Sequence, residues 1–378
     1  MKLTKPPMGF NTWNTFGSKI SDELIRQTAD RIVELGLDKV GYEYIVIDDC
    51  WQEKQRDENG HIVPSKAKFP NGIKPVADYV HSKGLKFGIY SCVGNRTCAD
   101  FPGSYEHEFI DALDFAEWGV DYLKVDFCFK PEHERADLLY KRMGLALANS
   151  GRDIVFSACN WGKDDAKMWM RETGAHLWRT GGDISDCWRS VANIFGSNLQ
   201  NVPYNSQTCY NDMDMLVVGM NGKGAQSLGG CTLEEYKSHF AIWAMFSSPL
   251  IIGCDLRKID NDSLTILKNE EIIHICCDEN CFQPYLTSAI GKTGCKAKVW
   301  ARHLSNGDLA ILMINLTDKA TRGFVAFSSM GLNSSCNCAL DICELYSGKE
   351  YKTVKGEFFS DVIEPNGCQI YRCKLKRL

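Results

Sequence analysis

Two acidic side chains carry the sharpest chemical signal in this chain. Asp126 ends the run Tyr122-Leu123-Lys124-Val125-Asp126, and Asp183 ends Trp178-Arg179-Thr180-Gly181-Gly182-Asp183. Lys124 and Asp126 stand two apart on a β-type run, so their side chains share a face. A charged pair there is costly unless it lines a cavity, and the lysine would keep Asp126 ionised, as a nucleophilic carboxylate requires. A purely structural buried ion pair remains the competing reading. Asp183 follows a short β-type run and a flexible Gly-Gly bend that can swing it toward Asp126; its competing reading is a cap for a helix starting near Ile184. Two facing carboxyl groups about 5–5.5 Å apart would suit hydrolysis of a glycosidic bond with retention.

Other polar and aromatic residues fall at the same end of successive predicted strands. Trp13 follows the first, Asp48 and Asp49 the second, Asn160 and Trp161 the fifth, and Arg179 the sixth. An isolated Asp at a strand end is ordinarily a helix cap or turn former. In a parallel barrel, however, C-terminal strand ends converge on one mouth. Trp13 and Trp51 are placed to stack on the C–H face of a pyranose, while Trp118 and Trp243 lie in helical segments and read as core. Asp48 and Asp49 can accept hydrogen bonds from neighbouring sugar hydroxyls, a demand that rejects analogues lacking them. Three rivals stay open: a barrel aldolase with Lys124 as Schiff base, a metal-dependent barrel using Asp48, Asp49 and Asp126, and a non-catalytic sugar-binding protein.

The elements that must hold these residues alternate up to about residue 285. Residues 44–48, 87–91, 122–126 and 154–157 read as buried strands, with 177–179 and 250–253 as shorter ones. Helical stretches lie between them: one capped near Ser21 and stopped by Gly36, others over 72–82 and 105–118. Repeated strand–helix units predict a parallel α/β architecture. Beyond residue 285, the runs 298–303, 309–313 and 323–327 are separated by short polar turns, which predicts a small antiparallel β domain. The expected domains are therefore residues 1–285 and 286–378.

The chain has 378 residues, 44% hydrophobic and 24% charged, with a formal net charge of −5. That composition fits a globular enzyme, and the weak charge argues against nucleic acid or an anionic membrane as the main partner. No apolar stretch is long enough to span a bilayer. The start, Met1-Lys2-Leu3-Thr4-Lys5-Pro6-Pro7, has no apolar signal core, so a cytoplasmic location is expected if Met1 is the native start. The 18 cysteines form no zinc-type spacing and read as small buried thiols in a reducing compartment. Nothing in the sequence calls for a metal or cofactor. A homo-oligomer is compatible with it.

These residues have a family likeness. The stretches Pro7-Met8-Gly9-Phe10-Asn11-Thr12-Trp13-Asn14, Ile47-Asp48-Asp49-Cys50-Trp51, Trp118-Gly119-Val120-Asp121-Tyr122-Leu123-Lys124-Val125-Asp126, Asn211-Asp212-Met213-Asp214-Met215-Leu216 and Pro249-Leu250-Ile251-Ile252-Gly253-Cys254-Asp255 resemble the glycoside hydrolase family 27 (melibiase-type) α-galactosidases, whose clan also holds α-N-acetylgalactosaminidases. The resemblance implies a (β/α)8 TIM barrel followed by a C-terminal antiparallel β-sandwich, closed by a strand around Ile363-Glu364-Pro365-Asn366-Gly367. It implies a retaining, exo-acting α-galactosidase acting on oligosaccharides or glycoconjugates, with Asp126 as nucleophile and Asp183 as acid/base. Trp13, Asp48, Asp49, Trp51, Lys124, Cys128, Asn160, Trp161 and Arg179 would bind the sugar, with Asn160 meeting its 2-position. An α-N-acetylgalactosaminidase is the alternative on this scaffold, and a β-L-arabinopyranosidase a further one. Cys98 and Cys128 match a family disulfide pair but are expected here as reduced thiols. Cys50 loses its usual partner because Ser18-Lys19 follow Phe16-Gly17, and Cys92 stands where many relatives carry Asp.

Overall fold

The computed structural model describes residues 3–287 and 294–378, apart from the side chain of Ser334. Met1 and Lys2, where the reading of the N-terminus begins, lie outside the described residues. The chain forms two compact units, one from the residues up to Gly230 with Pro249–Ile259, the other from Cys231–Ser248 with Asp260–Leu378. Among the described residues, no helix is long and apolar enough to cross a membrane.

The first unit is built on eight parallel strands: β1 Met8–Asn11, β2 Tyr44–Val46, β3 Lys86–Cys92, β4 Tyr122–Asp126, β5 Val155–Ala158, β6 Leu177–Arg179, β7 Tyr210–Asp212 and β8 Leu250–Ile252. From β1 to β7 each strand pairs with its successor, and β8 pairs with β1 in register Gly9↔Ile251. Leu216, four residues beyond β7, closes the ring: its N–H donates to the Ile251 carbonyl at 2.7 Å and its carbonyl accepts from Gly253 at 2.9 Å. Every β2, β5 and β6 residue is buried, as expected for short strands covered on both faces.

The helices between the strands follow local rules. Helix Asp22–Glu34 starts where the Ser21 side chain accepts from Leu24 N–H, carries Asp22 and Glu23 in its first turn, and buries Leu24, Ile25, Thr28, Ala29 and Ile32. The stretches expected over 72–82 and 105–118 are helices Lys74–Ser82 and Glu108–Glu117. No helix starts at Ile184. The next one is Trp188–Asn198, so Asp183 is not a helix cap.

In the second unit, a six-stranded antiparallel sheet has strand Leu309–Ile314 between Lys298–His303 and Cys368–Arg377. All of Leu309–Ile314 is buried. A separate antiparallel pair, Phe324–Ala326 with Glu357–Phe359, adds Val325 and Phe358 to a core with Ile311, Met313, Leu340 and Tyr371. The closing strand is Cys368–Arg377. The expected strand around 363–367 is instead a turn in which Ile363 bridges only to Thr321, because Pro365 cannot donate to a ladder and Asn366 has φ +62°. Helix Leu233–Met245 belongs to this unit and is capped reciprocally by Thr232 and Glu235, with Trp243 fully buried in it.

Candidate active site

The strand ends of the first unit bring most of the expected residues to one mouth. Asp126 closes β4, buried, with one oxygen accepting from Phe127 N–H at 2.9 Å and the other from the Tyr90 hydroxyl at 3.2 Å. Tyr90 lies on β3, paired in register with Lys124. The Lys124 ammonium does not donate to Asp126. It reaches Asp48 at 2.8 Å, and Asn11 donates to the same oxygen at 2.8 Å. The other Asp48 oxygen accepts from Asp49 N–H at 2.9 Å, and Asp49 in turn holds Cys50 N–H at 2.6 Å and Ala99 N–H at 2.9 Å. Burial pushes the Asp49 carboxyl upward in pKa.

Arg179, at the end of β6, is the second hub. One guanidinium nitrogen donates to Asp183 at 2.9 Å and to the Gly182 carbonyl at 2.7 Å; another meets Asp214 at 3.0 Å. Asp214 also accepts from Ile184 N–H at 2.7 Å, so it fixes both ends of the bend that carries Asp183. Gly162 lets the loop after β5 press on that bend, since a Cβ there would run into the Thr180 carbonyl. Asp183 itself stays 53% exposed.

The two carboxylates sit in opposed fields. Burial raises the Asp126 pKa to about 6, against the pull of Lys124 and with a further push from the charge of Asp183. Lys124 does pull the Asp126 pKa down, as its spacing suggests, but burial outweighs it. At Asp183 burial also works upward, but Arg179 and Lys124 outweigh it and hold the carboxyl below its usual value. Each group thus responds to the same mouth, and the more tightly held proton of the pair belongs to Asp126.

Several expected residues are placed differently. Trp51 is 0% exposed; its ring edges pack on Phe115 and Trp118, and its N–H donates to the Tyr90 carbonyl at 2.9 Å, so it cannot stack on a sugar. Trp13 and Trp161 keep exposed surface. Asn160 is also 0% exposed: its amide donates to the Lys163 carbonyl at 2.7 Å and accepts from Gly162 N–H at 3.3 Å, so it shapes the loop instead of facing the 2-position. Cys128 is bonded to Cys98 across a Cα separation of 5.1 Å, against the expected pair of reduced thiols. The turn after β3 returns to the loop after β4, with Gly103 N–H on the Asn95 carbonyl and Asn95 N–H on that of Phe129, and this brings the two cysteines together. Cys50 is free and buried.

Two residues escaped the sequence reading, Tyr90 and Asp214. Tyr90 looked like strand core. Asp214 was visible only as the second acid of Asn211-Asp212-Met213-Asp214, with no sign that it turns back to Arg179.

A closed parallel barrel with two acids and a cation hub at its C-terminal mouth defines a barrel hydrolase of the glycosidase type. The family model described as "Alpha galactosidase A" matches residues 5–278, and that described as "Alpha galactosidase C-terminal beta sandwich domain" matches residues 294–373. The chain belongs to this α-galactosidase family and is a glycoside hydrolase. It is 42% identical to the alpha-galactosidase of Cyamopsis tetragonoloba over 376 residues, covering 97% of this chain and 85% of the relative. Its fold matches alpha-galactosidase I from Mortierella vinacea with a TM-score of 0.89 at 30% identity, over 98% and 97% of the two chains. The alpha-galactosidase from Saccharomyces cerevisiae solved with raffinose matches with a TM-score of 0.87 at 28% identity, over 99% and 98%.

Proposed function

We propose that this protein removes terminal α-linked galactose from oligosaccharides or glycoconjugates by double displacement. Asp126 attacks the anomeric carbon as the bond to the leaving oxygen breaks, and Asp183 gives that oxygen its proton. Asp183, now anionic, then takes a proton from water, whose oxygen attacks the anomeric carbon and frees Asp126. Two inversions give net retention. The observation that carries this reading is the setting of the two acids: Asp126 fixed at a strand end by two donors, and Asp183 exposed on a bend from which its charge reaches Asp126.

The remaining roles follow from free hydrogen-bonding capacity. Asp48 and Asp49 are acceptors for sugar hydroxyls, Lys124 and Arg179 donors, and the buried Arg179 Nε has no partner among the described residues. Trp13 and Trp161 offer apolar faces, and the Cys98–Cys128 bridge adjoins the nucleophile through the Tyr90 hydroxyl, 3.5 Å from the Cys98 sulfur. Arg179 favours the anionic form of Asp183; a neutral glycosidic oxygen beside it favours the protonated form. Buried thiols such as Cys50, Cys92 and Cys159 suit the reducing compartment and cytoplasmic location expected from the sequence, whereas the Cys98–Cys128 bridge does not.

Initial rates on an aryl α-galactoside and an aryl α-N-acetylgalactosaminide, measured side by side, test the assignment. The galactoside is expected to react faster. A preference for the acetamido sugar would overturn the choice of galactose, and no turnover of either would overturn the whole reading.

A further inference from the structure

The segment 219–230, which follows β7, contributes to no helix or strand, yet it is tied down along two edges. On one edge Gln226 N–H donates to the Asn14 carbonyl at 2.9 Å and Ala225 N–H to that of Thr15 at 3.2 Å, directly after Trp13. Gly224, at φ +105°, permits the approach, since a Cβ there would lie 2.8 Å from the Thr15 Cα. The Thr15 hydroxyl in turn donates at 2.6 Å to the carbonyl of Gly253, just beyond β8. On the other edge the segment clasps Asp186, which is 0% exposed. Asp186 N–H donates to the Gln226 carbonyl at 2.8 Å, and its own carbonyl accepts from Gly230 N–H at 2.9 Å. Its carboxylate accepts from Gly222 N–H at 2.8 Å. The segment is thus a strap from the β1 and β8 side of the barrel to Asp186.

Only Ile184 and Ser185 separate Asp186 from Asp183. The contacts that hold Asp183 more directly, from Arg179 to its carboxylate and to Gly182 and from Asp214 to Ile184, all belong to one bonded Arg179–Asp214 pair. They therefore share a single pivot, and the two glycines before Asp183 leave the backbone around it loose. A second anchor at residue 186 removes that rotation. We propose that Asp186 is a positioning residue for the acid: through the strap it fixes the bend to the barrel at a second place. The inference rests on the function proposed above. An acid must lie within about 2.6–3.2 Å of the oxygen it protonates, and a misplacement of about 1 Å can cost 10²-fold. Neither Asp186 nor Gly222 is among the residues proposed to touch the sugar, so both act on the reaction only through the backbone that carries Asp183.

The test compares kcat/KM, which reports the first irreversible step, on two substrates that share the galactosyl group. The disaccharide α-1,6-galactosyl-glucose needs its leaving oxygen protonated; α-galactosyl fluoride does not. Asp186→Ala is expected to lower kcat/KM about 10²-fold on the disaccharide, through kcat more than KM, with little change on the fluoride. The ratio of the two rates does not depend on how much of the protein is folded, so lost stability alone leaves it unmoved. Gly222→Ala disturbs the same hydrogen bond from the strap side, because its Cβ is strained at φ +71° and lies 2.9 Å from the Gly229 carbonyl oxygen. It should shift the ratio in the same direction by a smaller factor, and it decides the matter if Asp186→Ala does not fold. The proposal is overturned if the disaccharide and the fluoride fall in step, or if a folded variant keeps the wild-type ratio. Failure of the wild type on both substrates is a different result, since it would remove the proposed activity itself.

Discussion

The end of β4 and the bend after β6 offer the same functional group in two contrasting settings. Asp126 stands on a strand whose backbone is fixed on both sides, is buried, and has an N–H and a hydroxyl aimed at its oxygens. Asp183 sits beyond two glycines, half in solvent, with Arg179 as its side-chain partner among the described residues. A nucleophile gains from rigidity, because a misplaced attacking atom is costly. An acid that must also serve as base gains from solvent contact and a neighbour whose hold on it can change. If the contrast is functional, damage to the two residues should differ in kind as well as size.

The largest effect is expected at Asp126. Asp126→Asn should cost about 10⁴-fold or more in kcat on every substrate while leaving the circular dichroism and melting temperature close to wild type. In Asp126→Gly, azide can occupy the vacated space and attack in place of the carboxylate. The product should be the β-galactosyl azide, by a single inversion. Near-normal turnover by either variant would end the nucleophile assignment.

Asp183→Ala should discriminate among substrates. A sugar leaving group needs the proton, so its kcat/KM should fall by about 10²–10⁴-fold; fluoride departs without one and should lose far less. Azide should now yield the α-azide, because it replaces water in the second step and two inversions remain. A uniform loss across leaving groups would remove Asp183 as the acid and leave the two settings without functional meaning.

Titration makes the contrast quantitative. The pair needs one proton in total for the first step, with Asp126 ionised and Asp183 protonated. The more weakly held proton is lost below the usual carboxylate range, since Arg179 pulls Asp183 down, and the more tightly held one near pH 6, since burial lifts Asp126. These are properties of the pair. As pH rises through about 6 the last proton leaves, so kcat/KM for a sugar leaving group should fall on that side and hold a plateau on the acid side until below pH 4. In Asp183→Ala only Asp126 titrates, and the fall with rising pH should disappear.

How far the sequence reveals this arrangement depends on backbone direction. The strands rich in apolar or β-branched residues, 122–126 and 298–303 among them, were legible because their burial dictates their composition. Tyr210–Asp212 was not: it is three residues long and two of them are Asn and Asp. Within the site, Asp126, Asp183, Lys124 and Arg179 were visible from residue type and position, whereas Trp51, Asn160 and Asp214 were misread or missed. Each of these three lies at or beside a non-glycine residue with positive φ: Cys50 at +74°, Trp161 at +57°, Asp214 at +77°. Such conformations cost about 1–3 kcal/mol and gather at functional sites, but only glycine announces them in a sequence. The turn at Cys50 is what sends Trp51 into the Phe115–Trp118 packing two residues after Asp49 has faced the mouth.

Tyr90→Phe gives the smallest expected effect and the finest test of why the two settings differ. The change keeps the ring and removes one hydroxyl, whose hydrogen bond favours the ionised form of Asp126. A hydrogen bond to a charged group contributes about 1.5–3 kcal/mol, so a loss on the order of tenfold in kcat/KM is expected. The direction of the titration matters more than the size of the loss. Without the hydroxyl, Asp126 binds its proton more tightly, and the proton needed by Asp183 spends more time on the wrong carboxylate. The plateau should therefore drop while the limb near pH 6 moves to higher pH. If Tyr90 only fills space beside β4, the limb stays unmoved whatever the plateau does, and the poise between the two acids then owes nothing to the hydroxyl.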